Sequence, residues 1–416
     1  MREMKDSGIA WVGDVPSNWD VHPLYYFLQE HKHKNALGTE QNLLSLSYGK
    51  IIRKDINTTE GLLPENFNTY NIIEENDIVL RLTDLQNDKR SLRTGIARER
   101  GIITSAYVTL RSIRSLCPSY FHYLLHTYDL LKVLYNMGSG VRQGLNYEEL
   151  SKVKLIEPPL DEQQKIAYFL DRKCAEIDGL IADIQAQIDT LEQHKKSTII
   201  EVVTKGLNPD VPMKDSGIQW IGKIPQMWNC IRGKYILQYN SKPTREDDGV
   251  ITCFRDGEVT LRSKRREDGF TMADKEIGYQ GIDVGDLVVH GMDGFAGAIG
   301  ISDSRGKASP VLNVVETKQN KRYIMYFLRS MAYGDVFMAL ATGIRVRSCD
   351  LRWNKLAELF YPVPPIEEQN AIVEYVDRII SETNAVIAAK KEQISTLEAY
   401  KKSVIFEYVT GKKEVV

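Results

Sequence analysis

The sequence predicts an α+β chain: two tandem mixed α/β domains separated by a pair of long antiparallel coiled-coil helices, in a pseudo-two-fold arrangement. Three observations predict it. Blocks of sequence recur in order at a nearly constant offset. Each copy closes with a long stretch whose apolar residues follow a coiled-coil spacing. Between these blocks lie two stretches that mix strand-like and helix-like patterns.

The repeat comes first because it decides the architecture. MKDSGIAWVGDVPSNW, from Met4 to Trp19, returns as MKDSGIQWIGKIPQMW, from Met213 to Trp228, with ten of sixteen positions identical. PPLDEQQKIAYFLD from Pro158 returns as PPIEEQNAIVEYVD from Pro364. HKKSTIIEVVTKG from His194 is echoed by YKKSVIFEYVTGK from Tyr400. The expected boundaries are 1–157 for the first domain, 158–208 for the first helix, 209–363 for the second domain and 364–416 for the second helix. Residues 20–157 and 229–363 share only scattered echoes, such as DIVL at Asp77 and DLVV at Asp286. A common frame with diverged inserts suggests that the inserts bind different things.

The helices read clearly. Leu170, Ile177, Ile181, Ile184, Ile188 and Leu191 form an apolar seam, with steps of four and three from Ile177. Val376, Ile380, Ile387, Ile394, Leu397 and Val404 form the second. Pro-Pro stops the preceding segment, and Asp161 or Glu367 supplies an anion for the positive helix start. A seam of this kind must be covered, and the other copy is the nearest partner. Within the inserts, NIIEENDIVLRL and GDLVVHG read as strands, while YFHYLLHTYDLLKVLY and YIMYFLRSMAYGDVFMALA read as helices with an apolar face.

Composition excludes several classes. The chain has 416 residues, 43% hydrophobic and 26% charged, with a formal charge of −2. Disorder, collagen and disulfide scaffolds do not fit. No stretch reaches the roughly 18 apolar residues of a membrane span, and the start of the chain lacks a secretion signal. Five scattered cysteines without a Cys-x-x-Cys pair point to a reducing cytoplasm.

Basic residues gather in the inserts. The stretches predicted as helices, 161–208 and 366–416, carry −3 and −2, so the remainder carries +3. Residues 81–114 hold +5 and residues 255–266 hold +3. Clustered cations neutralise phosphates, and arginine also reads guanine edges. A solvated charged face is the ordinary alternative. The candidate DNA contacts are Lys50, Arg53, Lys54, Arg81, Thr83, Gln86, Lys89, Arg90, Arg142 and Gln143 in the first copy. In the second they are Arg255, Arg262, Lys264, Arg265, Arg266, His290, Arg345 and Arg347.

Catalytic chemistry is not expected. HGMDGFAGAIG is not a dinucleotide loop, and no phosphate-binding loop of the GxxxxGK[ST] type exists. EPPL at Glu157 lacks the aromatic of an amino-methyltransferase motif, and its duplicate PVPP lacks the acid. The seven histidines have no partner spaced for a metal, so no metal site is expected.

The doubled frame resembles the DNA-specificity subunits of bacterial type I restriction-modification systems. The residues that carry the resemblance are WVGDVPSNW and WIGKIPQMW, the helix starts PPLDEQQKI and PPIEEQNAI, and the long helices after them. It implies two target-recognition domains, each reading one half of a bipartite asymmetric DNA site. It implies helices that set the spacer length and dock methylation subunits. It implies no cofactor in this chain, with S-adenosylmethionine, ATP and Mg expected in partner subunits: the methylation subunits and a restriction motor-nuclease. Double-stranded DNA is the implied substrate, and no membrane is involved. A stand-alone DNA methyltransferase and a non-catalytic coiled-coil adaptor are the competing readings.

Overall fold

The computed structural model describes residues 2–57, 66–85, 92–137, 144–266, 277–340 and 351–415. By packing, the chain divides into two units: Met1–Ile184 with Glu392–Val416, and Gln185–Lys391. Each unit joins a globular part to half of each long helix. Those helices are Leu160–Lys205, 46 residues, and Ile366–Val409, 44 residues.

The globular parts repeat strand for strand, although their sequences hardly match. In the first unit a four-stranded antiparallel sheet runs in the order Leu28–Glu30, Val108–Ser112, Ile78–Leu80, Thr94–Ile96. In the second the order is Leu237–Tyr239, Leu312–Thr317, Leu287–His290, Ile299–Ile301. The central strands are apolar at successive positions because both faces are covered. Ile78 and Leu80 join the core containing Phe121 and Leu124 of helix Pro118–Leu130, whereas Val79 joins Leu44, Ile73 and Ile103 on the other side. Leu287 and Val289 pack with Phe327 of helix Lys321–Tyr333, and Val288 packs with Ile251 and Val259. That alternation is the period-two consequence of a pleated strand.

Each unit also has a hairpin beside the sheet. The first pairs Leu44–Ser47 with Lys50–Arg53, and the second pairs Ile251–Cys253 with Val259–Leu261.

The helix segments inside each unit run antiparallel. In the first, Lys401 Nζ lies 2.6 Å from Asp178 Oδ1, and the Phe169 and Tyr408 ring centroids are 4.3 Å apart. In the second, Lys195 bonds Asn384 at 2.9 Å and Lys390 bonds Gln187 at 2.5 Å. In both cases the partner number falls along one segment as it rises along the other. Seam residues Ile177, Ile188, Val376, Ile387 and Val404 are buried.

The duplicated motifs are the fastenings between globular part and helix. Gln163 accepts from the Cys117 backbone N–H at 2.9 Å and donates to the Pro158 carbonyl at 2.8 Å. Gln369 does the same with Asn320 and Pro364, at 2.9 Å each. Tyr123 donates to Asp171, and Tyr326 to Asp377. Tyr120 donates to the Val409 carbonyl at 2.9 Å, and Tyr323 to the Val203 carbonyl at 3.0 Å. Each globular part thus grips the start of one long helix and the end of the other.

Candidate nucleic-acid interface

The two hairpins carry most of the described candidates. Lys50 follows the first turn, whose tip is Tyr48, 82% exposed and at positive φ. Arg53 ends the hairpin, and Lys54 comes next; both are exposed. Arg53 Nε donates to Glu99 Oε1 at 2.6 Å, and the pairing holds the arginine above and the carboxyl below their ordinary pKa ranges. Lys50 reaches Asp178 at 3.4 Å.

In the second unit Arg255 occupies the hairpin turn, and Arg262, Lys264, Arg265 and Arg266 follow its second strand. Arg255, Arg262, Arg265 and Arg266 line one concavity of about 730 Å³ with His290 and Thr252. Arg265 stacks on Phe254, with its guanidinium 4.0 Å from the ring centroid, and pairs with Asp256 and Glu258. Arg262 donates to Thr252 Oγ1 at 2.9 Å, Arg255 pairs with Asp293 at 2.9 Å, and Lys264 donates to Ser304 Oγ at 2.6 Å. Exposed pairs of this kind are each worth about 0–1 kcal/mol, so a phosphate competes for the cation at little cost. His290 Nδ1 accepts from the backbone N–H groups of Met292 and Asp293. That pattern puts the proton on Nε2, and burial lowers the imidazole pKa, which keeps the ring neutral.

The basic run at 81–114 has a different fate. Arg93 is 1% exposed; its guanidinium donates to Tyr135 Oη and to the carbonyls of Arg81, Thr83 and Asp84. Arg81 and Thr83 therefore sit on a loop moulded around a buried cation. Arg111 forms a two-bond pair with Asp77, Arg98 faces Asp171 at 3.6 Å and Arg114 lies over the Tyr26 ring. Arg100 bonds Glu40 and Glu74 at 2.9 and 2.7 Å, and in the second unit Arg305 bonds Asp248 and Asp283 at the same two distances. Five of the eight cations in residues 81–114 thus have partners within their own unit. Gln86, Lys89, Arg90, Arg142, Gln143, Arg345 and Arg347 lie outside the described residues.

Two groupings escaped the sequence. Tyr48 at the hairpin tip offers an exposed ring beside Lys50, and only the turn reveals it. His22, without a metal partner by spacing, lies with Asp20 and Glu157 so that their ligand atoms are all within 4.8 Å of one another.

Comparisons with known proteins agree with this frame. Residues 46–190 match the family model described as the type I restriction modification DNA specificity domain. The MjaVIII type I restriction enzyme specificity subunit of Methanocaldococcus jannaschii is 25% identical over 427 residues, covering 96% of this chain and 94% of the relative. A chain from the solved structure on complex assembly and conformational transition of the type I R-M system superposes with a TM-score of 0.66 at 14% identity, covering 96% of this chain and 99% of that one. These likenesses favour a DNA-reading subunit over a stand-alone methyltransferase or an adaptor. The chain is thus similar in its first copy to the type I restriction modification DNA specificity domain, and nearly end to end to a type I restriction enzyme specificity subunit.

Proposed function

We propose that each globular part reads one half of a bipartite, asymmetric DNA site, and that the long helices set the spacing between the halves and dock methylation subunits. The observation that carries this reading is the pair of corresponding hairpins. One fold, present twice, bears different side chains at the same element: Tyr48, Lys50, Arg53 and Lys54 in one copy, Arg255, Arg262, Lys264 and Arg265 in the other. Different side chains on equivalent elements are what an asymmetric site requires.

Exposed apolar residues on the long helices, among them Tyr168, Leu180 and Tyr400, supply surface for a partner helix. Adenine methylation with S-adenosylmethionine belongs to the methylation subunits in this reading, and ATP- and Mg-dependent cleavage to a restriction motor-nuclease. The complex works on cytoplasmic DNA; no described helix is long and apolar enough to cross a membrane.

Methylome sequencing of cells with and without the gene tests the reading. The expected result is one two-part methylated motif that disappears with the gene; an unchanged methylome overturns it. Inserting four residues into both helices, about 6 Å of rise, should lengthen the spacer and leave both half-sites unaltered.

A further inference from the structure

Strands Asp20–Pro23 and Lys154–Glu157 of the first unit pair antiparallel, with Asp20 directly opposite Glu157 and His22 opposite Leu155. Asp20 and His22, two residues apart, project from the same face of the pleat as Glu157. Two carboxylates opposed across a ladder repel each other. Among the described residues, the ion pair that either carboxylate makes is the contact of Glu157 Oε2 with His22 Nε2 at 3.6 Å. The His22 ring is stacked on Tyr26 at 4.1 Å, which limits its orientations.

We propose that Asp20, His22 and Glu157 form a binding site for a divalent transition cation of the zinc class. Two carboxylates balance the charge of one such ion, and the imidazole favours it over Mg²⁺ or Ca²⁺, which take oxygen ligands. The ligand atoms already lie within 4.8 Å of one another. Tetrahedral zinc, with bonds near 2.0–2.1 Å, needs them roughly 3.3 Å apart, a contraction that side-chain rotation supplies.

The second copy supplies the control. Asn229, Ile231 and Val363 hold the matching positions, in the same antiparallel register and with the same degrees of exposure. The strand pair therefore forms without the trio, and the trio is not there to fold it. Its place gives the cation a role. Asp20 adjoins Trp19, whose indole bonds Glu162, and Glu157 adjoins Pro158, whose carbonyl accepts from Gln163. A bound cation ties together the two strands that anchor the start of the first long helix.

The test uses the full chain, stripped with a chelator and titrated calorimetrically with zinc chloride and, separately, magnesium chloride. The variant is Asp20→Asn with His22→Ile, the residues that the second copy carries. Glu157→Gln is a second variant that keeps the side-chain shape. Wild type should bind one zinc equivalent, which both variants bind more than about tenfold more weakly, and zinc should raise the unfolding midpoint of wild type alone. Zinc binding equal in wild type and variants, no binding at all, or an equal response to magnesium overturns the proposal.

Discussion

The indole N–H of Trp19 donates to Oε2 of Glu162 at 2.9 Å, across 143 residues of chain. Trp228 and Glu368 repeat the bond at the same length. The first indole is fully buried, and its acceptor also takes Arg2 at 2.5 Å and Asn18 at 3.2 Å. Burial raises the Glu162 pKa, but the bonds from Arg2, Trp19 and Asn18 outweigh it and hold the carboxyl below its ordinary range. Removing Glu162 strands a buried donor.

Glu162→Ala should therefore destabilise the first unit by about 1.5–3 kcal/mol, the scale of a hydrogen bond to a charged group. Glu368→Ala should cost less, because among the described residues its carboxylate takes a side-chain bond from Trp228 and has no counterpart to Arg2 and Asn18. Denaturant unfolding of each variant measures the difference.

The ends of the long helices make a second comparison. Gly206 and Gly411 follow the helices in left-handed conformations, φ +79° and +71°. Glycine is the ordinary residue for this stop. A Cβ on Gly411 would lie 2.5 Å from Pro16 Cδ and 2.9 Å from Trp19 Cη2, both parts of rigid rings. On Gly206 it would meet Glu368 Oε1 at 2.9 Å and Trp228 Cζ2 at 3.2 Å, the nearer atom being the end of a side chain. Alanine at either position should cost at least about 1 kcal/mol for the backbone alone, and Gly411→Ala should lower the unfolding midpoint further than Gly206→Ala.

These joints explain what is legible in the sequence. Trp19, Glu162 and Gln163 make bonds that other side chains cannot copy, and the same three residue types recur as Trp228, Glu368 and Gln369. The sheets ask only for apolar bulk, and Ile78-Val79-Leu80 serves as well as Leu287-Val288-Val289; the repeat there is structural and not textual. The Arg100 and Arg305 clamps stay hidden because their acids change from Glu40 and Glu74 to Asp248 and Asp283 at shifted offsets. Counting charges along residues 81–114 cannot tell buried Arg93 from exposed Arg98, since burial is decided by loops that close only in three dimensions.

Acid should weaken the first unit, with two strongly lowered imidazoles, more than the second, where burial also lowers His290. His122 and His126, one turn apart on helix Pro118–Leu130, are half-buried residues, and the desolvation of their rings depresses their pKa values to about 3 and about 4. Neighbouring Arg98 and His126 lower the first further; Lys401, Lys132 and Lys402 lower the second. Both folded values are below the ordinary 6.5. The unfolded chain therefore binds protons that the folded chain refuses as pH falls. Stability is full above about pH 6.5 and declines from there toward pH 4, by up to about 1.4 kcal/mol per pH unit for each histidine. The second copy places Met325 where the first has His122, as the matched Tyr120 and Tyr323 show. His122→Met should flatten the decline, read as denaturant midpoints between pH 7 and pH 4.

The last contrast separates two kinds of arginine. Arg93 is buried and pinned by four acceptors, with its backbone N–H bonded to Asp129 at 2.6 Å. Arg93→Ala leaves that set of carbonyls unpaired and should cost about 3–5 kcal/mol of stability, in the range of a broken buried polar network. Arg265 lies on the surface, where its ties to Asp256 and Glu258 are screened and weak. Arg265→Ala should leave the unfolding midpoint within about 0.5 kcal/mol of wild type and weaken DNA binding by the complex. If Arg265 meets a phosphate, affinity falls for every sequence and the salt slope drops by about one. If it meets a guanine, one position of one half-site relaxes at about 1–3 kcal/mol and the slope holds. Binding titrations over a range of salt, with matched and single-mismatch duplexes, distinguish the two.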